Sequence, residues 1–129
     1  MAQDMGQKMS QAAFKRTILI GSSYSALRQL NDAVEDGKFA DAGKQAGKLT
    51  ANARALAGLW PKGSGGPATA ARALVWQDMD GFKAALAVLR KAADSTAAAA
   101  KAENLAALRK AAAKVNRSYD SCHKTYRTF

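Results

Sequence analysis

Apolar side chains recur along this chain at helical spacing almost from end to end. From about Ser10 to Glu35, Phe14, Ile18, Leu19, Tyr24, Leu27, Leu30 and Val34 fall at the intervals that one buried helix face requires. Asp36-Gly37 then supplies a glycine stop. A second helix is predicted from about Ala40 to Leu59, with Ala42, Ala46, Leu49, Ala53 and Leu56 on its inward stripe. Trp60-Pro-Lys-Gly-Ser-Gly-Gly-Pro67 cannot continue a helix and forms the one long connection, reaching toward Arg72. A third helix, from about Leu74 to Ala93, turns Val75, Met79, Phe82, Leu86 and Leu89 inward, and Asp94-Ser-Thr reads as a weak break. The fourth, from about Glu103 to Arg127, carries Leu105, Leu108, Ala112, Val115, Tyr119, Cys122 and Tyr126.

Four long helices joined by short, long and short connections imply an all-α, antiparallel up-down-up-down four-helix bundle, expected to occupy residues 1–129 as one domain. Composition agrees, because about a quarter of the residues are alanine, the best helix former. Alternating Val/Ile/Thr runs of strand type are nearly absent, which excludes sandwiches and doubly wound sheets. No apolar run approaches the ~18 residues of a membrane span. No repeat of solenoid period is present either.

Charge widens the functional field. Twenty Lys and Arg against 10 acids give +10 at pH 7, a field attractive to nucleic acid, anionic surfaces or acidic proteins. A basic bundle without a cofactor that binds nucleic acid or an acidic partner is therefore one reading of the function. Against nucleic acid stand the lack of a basic stripe interleaved with aromatics, of a helix-turn-helix and of a Gly-rich phosphate loop. One cysteine, Cys122, forbids an intrachain disulfide. The opening Met-Ala-Gln-Asp carries no signal peptide and is consistent with a mature terminus left by signal removal.

Chemistry concentrates at Arg117-Ser-Tyr119-Asp-Ser-Cys122-His123-Lys-Thr-Tyr126-Arg127. A Cys-x-x-Cys-His run attaches haem covalently, two thiols taking the vinyl groups and the adjacent histidine the iron. Here the second Cys and the His are in place, and Tyr119 holds the position of the first Cys. The plainer reading makes His123 a surface residue near a helix C-terminus, where a cation is favourable, and Cys122 a small buried hydrophobe. Catalysis is disfavoured. Adjacent helical residues point about 100° apart, so Cys122 and His123 make a poor nucleophile–base pair.

Trp60-Pro-Lys-Gly-Ser-Gly, then Leu74-Val-Trp76-Gln-Asp78 with Phe82-Lys83, then Ser121-Cys-His-Lys-Thr-Tyr-Arg127, together resemble the cytochrome c′ family and its low-spin bundle relatives. The resemblance implies a periplasmic, non-enzymatic haem protein that transfers electrons or binds small gases such as NO and CO. It makes His123 the proximal iron ligand, Cys122 the thioether and Arg127 a residue at the haem edge. Trp76 and Phe82 are expected to serve as packing. The family's distal Arg-Gln pair aligns on Arg16-Thr17, so Arg16 becomes a propionate partner, with Thr17 and Ile20 facing the sixth iron position. Phe14 and Gly21 are the alternatives in register. With only one thiol, the haem is c-type through a single thioether, or b-type if unattached. A methionine at the sixth position would make the iron six-coordinate, and Met5 and Met9 are the residues available for it. Partners implied are a diatomic gas, a redox protein and a homodimer mate meeting the first two helices, where Ala40, Gly43, Ala46 and Gly47 permit close contact or ordinary packing.

Overall fold

A computed structural model describes residues 10–65, 69 and 71–127. Five helices follow in order: α1 (Gln11–Glu35), α2 (Phe39–Leu56), α3 (Leu74–Gln77), α4 (Met79–Lys101) and α5 (Leu105–Tyr126). The four long ones form the expected antiparallel bundle, and no described residue belongs to a named strand. No described helix is long and apolar enough to cross a membrane.

Side-chain caps set where the helices begin. Ser10, Asp78 and Asn104 each accept the backbone N–H three residues on, at 3.1, 3.2 and 3.1 Å. Gly37, at φ +69°, turns the chain between α1 and α2, a conformation that favours glycine. Two predicted boundaries are corrected. The third segment is interrupted at Asp78, whose φ of −131° ends α3 while its carboxylate caps α4. Conversely, Asp94-Ser-Thr does not break α4, which runs on to Lys101. There the Thr96 hydroxyl donates to the Ala92 carbonyl at 2.8 Å, and the following alanines keep the helix going.

Asp78 has two further duties. Its Oδ2 accepts the Tyr126 hydroxyl at 3.2 Å, tying the start of α4 to the end of α5. A Cβ on Gly81 would collide with the same carboxylate, which is why the cap needs glycine there. Replacing Asp78 with Ala removes the cap, costing about 1 kcal/mol, and releases the Tyr126 hydroxyl. The expected result in a urea titration is a lower midpoint with an unchanged slope.

The core lies where all four long helices face one another, around Leu30, Leu49, Leu108 and Val115, all essentially buried. Every residue of the predicted α2 stripe is buried. Gly43 serves packing within the chain, since its Cβ position lies 3.5 Å from that of Ala100 on α4. On α1 the expectation fails for three residues: Phe14, Ile18 and Tyr24 are 58, 56 and 54% exposed. The expected Leu27, Leu30 and Val34 are buried, and the other inward positions are held by Ala13, Arg16, Ser23, Ala26 and Ala33.

Around the bundle, α1 packs on α2, α2 on α4 and α4 on α5. The fourth seam, α1 against α5, is the least contacted of these. Near one end it is fastened by Asn31 and Asn116, whose side-chain amides exchange hydrogen bonds of 3.0 and 2.9 Å. Toward the other end the two helices part around a cavity.

Candidate functional site

The cavity holds about 630 Å³ and is walled by α1, α5, the inward sides of α2 and α4, and the connection after α2. That lies within the range of small-molecule and cofactor sites, roughly 300–1,000 Å³. Its lining is mostly apolar, as the packing of Leu49, Leu56, Leu86 and Leu89 into its walls requires. Trp60, Phe82 and Tyr126 make one aromatic side, meeting edge to face at centroid distances of 4.5 and 5.1 Å.

Periodicity on α5 brings Tyr119, Cys122, His123 and Tyr126 to this space, and Arg127, the extended residue that follows the helix, lines it too. His123 Nδ1 lies 3.0 Å from the Tyr119 carbonyl, one turn back. A carbonyl only accepts, so Nδ1 carries the proton and the lone pair sits on Nε2. This backbone orientation is the kind that fixes a metal-binding imidazole. The Tyr119 ring packs against that imidazole, with centroids 4.1 Å apart. Burial above all holds the His123 pKa below its ordinary 6.5; the Tyr119 carbonyl opposes the shift and Arg127 adds to it. The imidazole is therefore neutral at neutral pH, as a metal ligand must be.

Linkage turns that shift into a pH prediction. Below about pH 6.5 the unfolded chain takes up a proton at His123 that the folded chain resists, so stability falls with pH until the folded value is passed. Urea titrations of haem-free protein at about pH 7.5, 6 and 5 should show this loss, and the His123→Gln variant should lack its share of it.

Cys122 is half-buried and lines the cavity, and desolvation pushes its thiol up to about 11. It is thus a thiol, not a thiolate, at neutral pH. Tyr119, 8% exposed, also lines the cavity, and burial raises its pKa, so the phenol stays protonated. Its hydroxyl has no hydrogen-bond partner among the described residues, and neither does the indole N–H of Trp60. Buried polar groups in native proteins are nearly always satisfied. Two orphans at one mostly apolar cavity therefore fit an occupant that is largely apolar with polar edges.

On α1, Arg16, Thr17 and Ile20 line the cavity, and so does the alternative Gly21. The alternative Phe14 does not, being turned to solvent. Gly21 leaves open space, with nothing within 4 Å of its Cβ position. Met5 and Met9 lie outside the described residues. Arg16 is 2% exposed, and its guanidinium grips the connection. Its Nη1 donates to the Leu59 carbonyl and the Ser64 hydroxyl, both at 2.8 Å, and its Nη2 to the Ser64 carbonyl at 2.7 Å. It also sits over the Trp60 ring, 4.2 Å from the centroid. No carboxylate among the described residues pairs with it, the one ion pair there being Arg90–Asp94. The other end of the connection is pinned by the Arg72 N–H donating to the Tyr126 carbonyl at 2.9 Å.

Sequence reasoning missed Trp60 and Tyr126 as lining residues, because it treated the first as part of a loop signature and the second as core. Tyr119 it read as part of the fourth helix's apolar set and as the place of a missing cysteine, not as a residue facing a cavity. Among the described residues no three His, Cys, Asp or Glu side chains cluster to hold a metal ion.

The fold and site define an antiparallel helical bundle with a mostly apolar cavity between its first and last long helices, entered by one oriented histidine. Comparison with known proteins narrows the class. A family model described as cytochrome c′ matches residues 7–127. Cytochrome c′ of Pararhodospirillum photometricum is 37% identical over 89 residues, covering 68% of this chain and 71% of that one. The chain belongs to the cytochrome c′ family, whose members are electron carriers and not enzymes. Solved structures agree on the fold. Cytochrome c′ of Thermochromatium tepidum has a TM-score of 0.82 at 21% identity, over 92% of this chain and 95% of that one. Cytochrome c prime of Shewanella frigidimarina has a TM-score of 0.83 at 22% identity, over 92% and 94%. A nitric oxide complex of a variant cytochrome c prime from Alcaligenes xylosoxidans has a TM-score of 0.81 at 23% identity, over 92% and 94%.

Proposed function

We propose that this protein holds one haem between α1 and α5, with His123 Nε2 on the iron and Cys122 as the single thioether. In the periplasm it would pass single electrons and bind small neutral gases. The observation that carries the reading is the His123 imidazole, neutral, oriented by the Tyr119 carbonyl and set in a cofactor-sized cavity beside the only thiol. The two orphaned polar atoms support it, since a porphyrin is apolar across its face and polar at its rim. When bound, haem supplies a one-electron couple and an iron able to take a diatomic ligand.

The residues then divide the work. His123 would donate its Nε2 lone pair, while Nδ1 keeps its proton and donates it in a hydrogen bond to the Tyr119 carbonyl. Arg16 and Arg127 place positive charge at the cavity for the propionates, and Arg16 does so from a guanidinium already locked to Leu59 and Ser64. Thr17 and Ile20 would line the space left for a diatomic ligand, with Gly21 leaving room. Apolar walls penalise charged ligands through desolvation and admit NO or CO. Tyr119 cannot form the second thioether. Exposed Phe14 and Ile18 make α1 the face we assign to a second copy of the chain.

The test is an absorption spectrum of protein expressed with haem supply, followed by acidified acetone. A Soret band that stays with the polypeptide, and shifts with CO after reduction, is the expected result. Cys122→Ser should render the haem extractable. Haem that extracts from the parent protein would make it b-type, held by His123 alone. Absence of a Soret band overturns the reading.

A further inference from the structure

Helix α5 carries Lys110, Lys114, Arg117 and Lys124 at intervals of four, three and seven, with Ser121 among them, all exposed. At about 100° per residue they share one ~80° arc, opposite the buried Leu108, Ala112 and Val115. Asp120 is the one acid on the helix. The ion pair found among the described residues lies elsewhere, on α4. Beside this stripe, between α4 and α5, runs a second hollow of about 310 Å³. Lys114 and Arg117 stand at its rim with Val88, which is 47% exposed. Its inner residue is Cys122, the one side chain that lines both this hollow and the main cavity.

We propose that this α4–α5 hollow is the docking surface for an acidic one-electron carrier protein, and that Cys122 is where the electron crosses between partner and cavity. The proposal rests on haem occupying the cavity. One electron passes and no bond changes, the partner's centre being oxidised as the held group is reduced, or the reverse. Transient electron-transfer contacts are small, and a basic rim around a modest apolar spot suits an acidic partner. The rim steers approach, while Val88 and Ala85 offer the patch to be covered. The stripe has no aromatic residue on which nucleic-acid bases would stack, so an acidic protein is favoured over a nucleic acid.

Hexacyanochromate(III), a paramagnetic trianion, tests the surface whether or not haem is loaded. Added to isotope-labelled protein at low salt, it should broaden the amide signals of Ala85, Val88 and Lys114 to Cys122. The double variant Lys114→Glu/Arg117→Glu should abolish this, whereas Lys44→Glu/Lys48→Glu on α2, equal in charge change, should not. In the reduced, loaded protein, oxidation by hexacyanoferrate(III) should slow about tenfold or more in the first variant, and its rate should no longer fall with salt. Broadening that ignores the double variant overturns the docking surface. Broadening that responds while the oxidation rate does not, with the Soret band intact, overturns electron passage there. Single-stranded DNA that displaces the probe more effectively than a glutamate-rich peptide of equal charge reassigns the surface to nucleic acid. Loss of the Soret band alone would mark failure of the haem reading, leaving the broadening experiment to decide the surface.

Discussion

Arg16→Ala should destabilise the unloaded protein by about 3–4 kcal/mol, because it strands buried carbonyls as well as deleting a side chain. Arg16 is the clip between α1 and the connection, through Leu59 and Ser64. Each orphaned buried acceptor costs about 1–3 kcal/mol, and partial relaxation keeps the total below the simple sum. Arg16→Lys should rescue little, since one ammonium cannot reproduce the planar fork that meets the Ser64 hydroxyl and carbonyl together. Urea midpoints measure the loss. Trypsin cleavage after exposed Lys62 gives a local readout, expected to speed up in both variants once the loop is unclipped. A variant as stable and as resistant as the parent would show that the clip contributes nothing.

With haem held by the proposed single thioether at Cys122, Tyr119→Cys should convert single into double attachment, the largest chemical change that one substitution can make here. The new thiol would stand three residues before Cys122, in the spacing that takes both vinyl groups. Each vinyl consumed leaves the conjugated ring, so the reduced band of the pyridine complex should move to shorter wavelength than in the parent. An unmoved band would mean that the second thiol does not react. Stability of the unloaded variant is set by two opposed terms. Truncating a buried aromatic costs about 3–5 kcal/mol, and removing the orphaned phenol returns about 1–3 kcal/mol. A net loss is expected, read from the same urea titrations, and haem loading should more than offset it.

How much of this could be read beforehand depended on the kind of residue. Helix α2 was legible in its apolar inward stripe, but not in the buried Gln45 and Asn52 beside it or in its end, which comes at Leu56 and not Leu59. Helix α1 was misread at Phe14, Ile18 and Tyr24, because counting apolar residues overlooks a buried arginine such as Arg16 and small inward residues such as Ala13 and Ser23. The interruption at Asp78 lay in plain sight as an acid three residues before a glycine, yet apolar periodicity runs through it. Asp94-Ser-Thr looked like a break because those side chains compete for backbone hydrogen bonds, but inside a helix they can bond back to it, as Thr96 does. Cys122-His123 could be found by spacing. The orphaned hydroxyl of Tyr119 could not, since a missing partner is a property of three dimensions.

The sparsely contacted seam between α1 and α5 divides α1 energetically. Its C-terminal half is held by the Asn31–Asn116 pair and the packing of Leu27 and Leu30, whereas its N-terminal half borders a void. The two halves of one continuous helix thus belong to different cooperative units. In the unloaded protein, amides from Ala13 to Gly21 should exchange with solvent through a low-energy local opening. Those from Leu27 to Val34 should wait for global unfolding. A ligand filling the cavity would merge the two units, so the gap between their exchange rates is itself a gauge of occupancy.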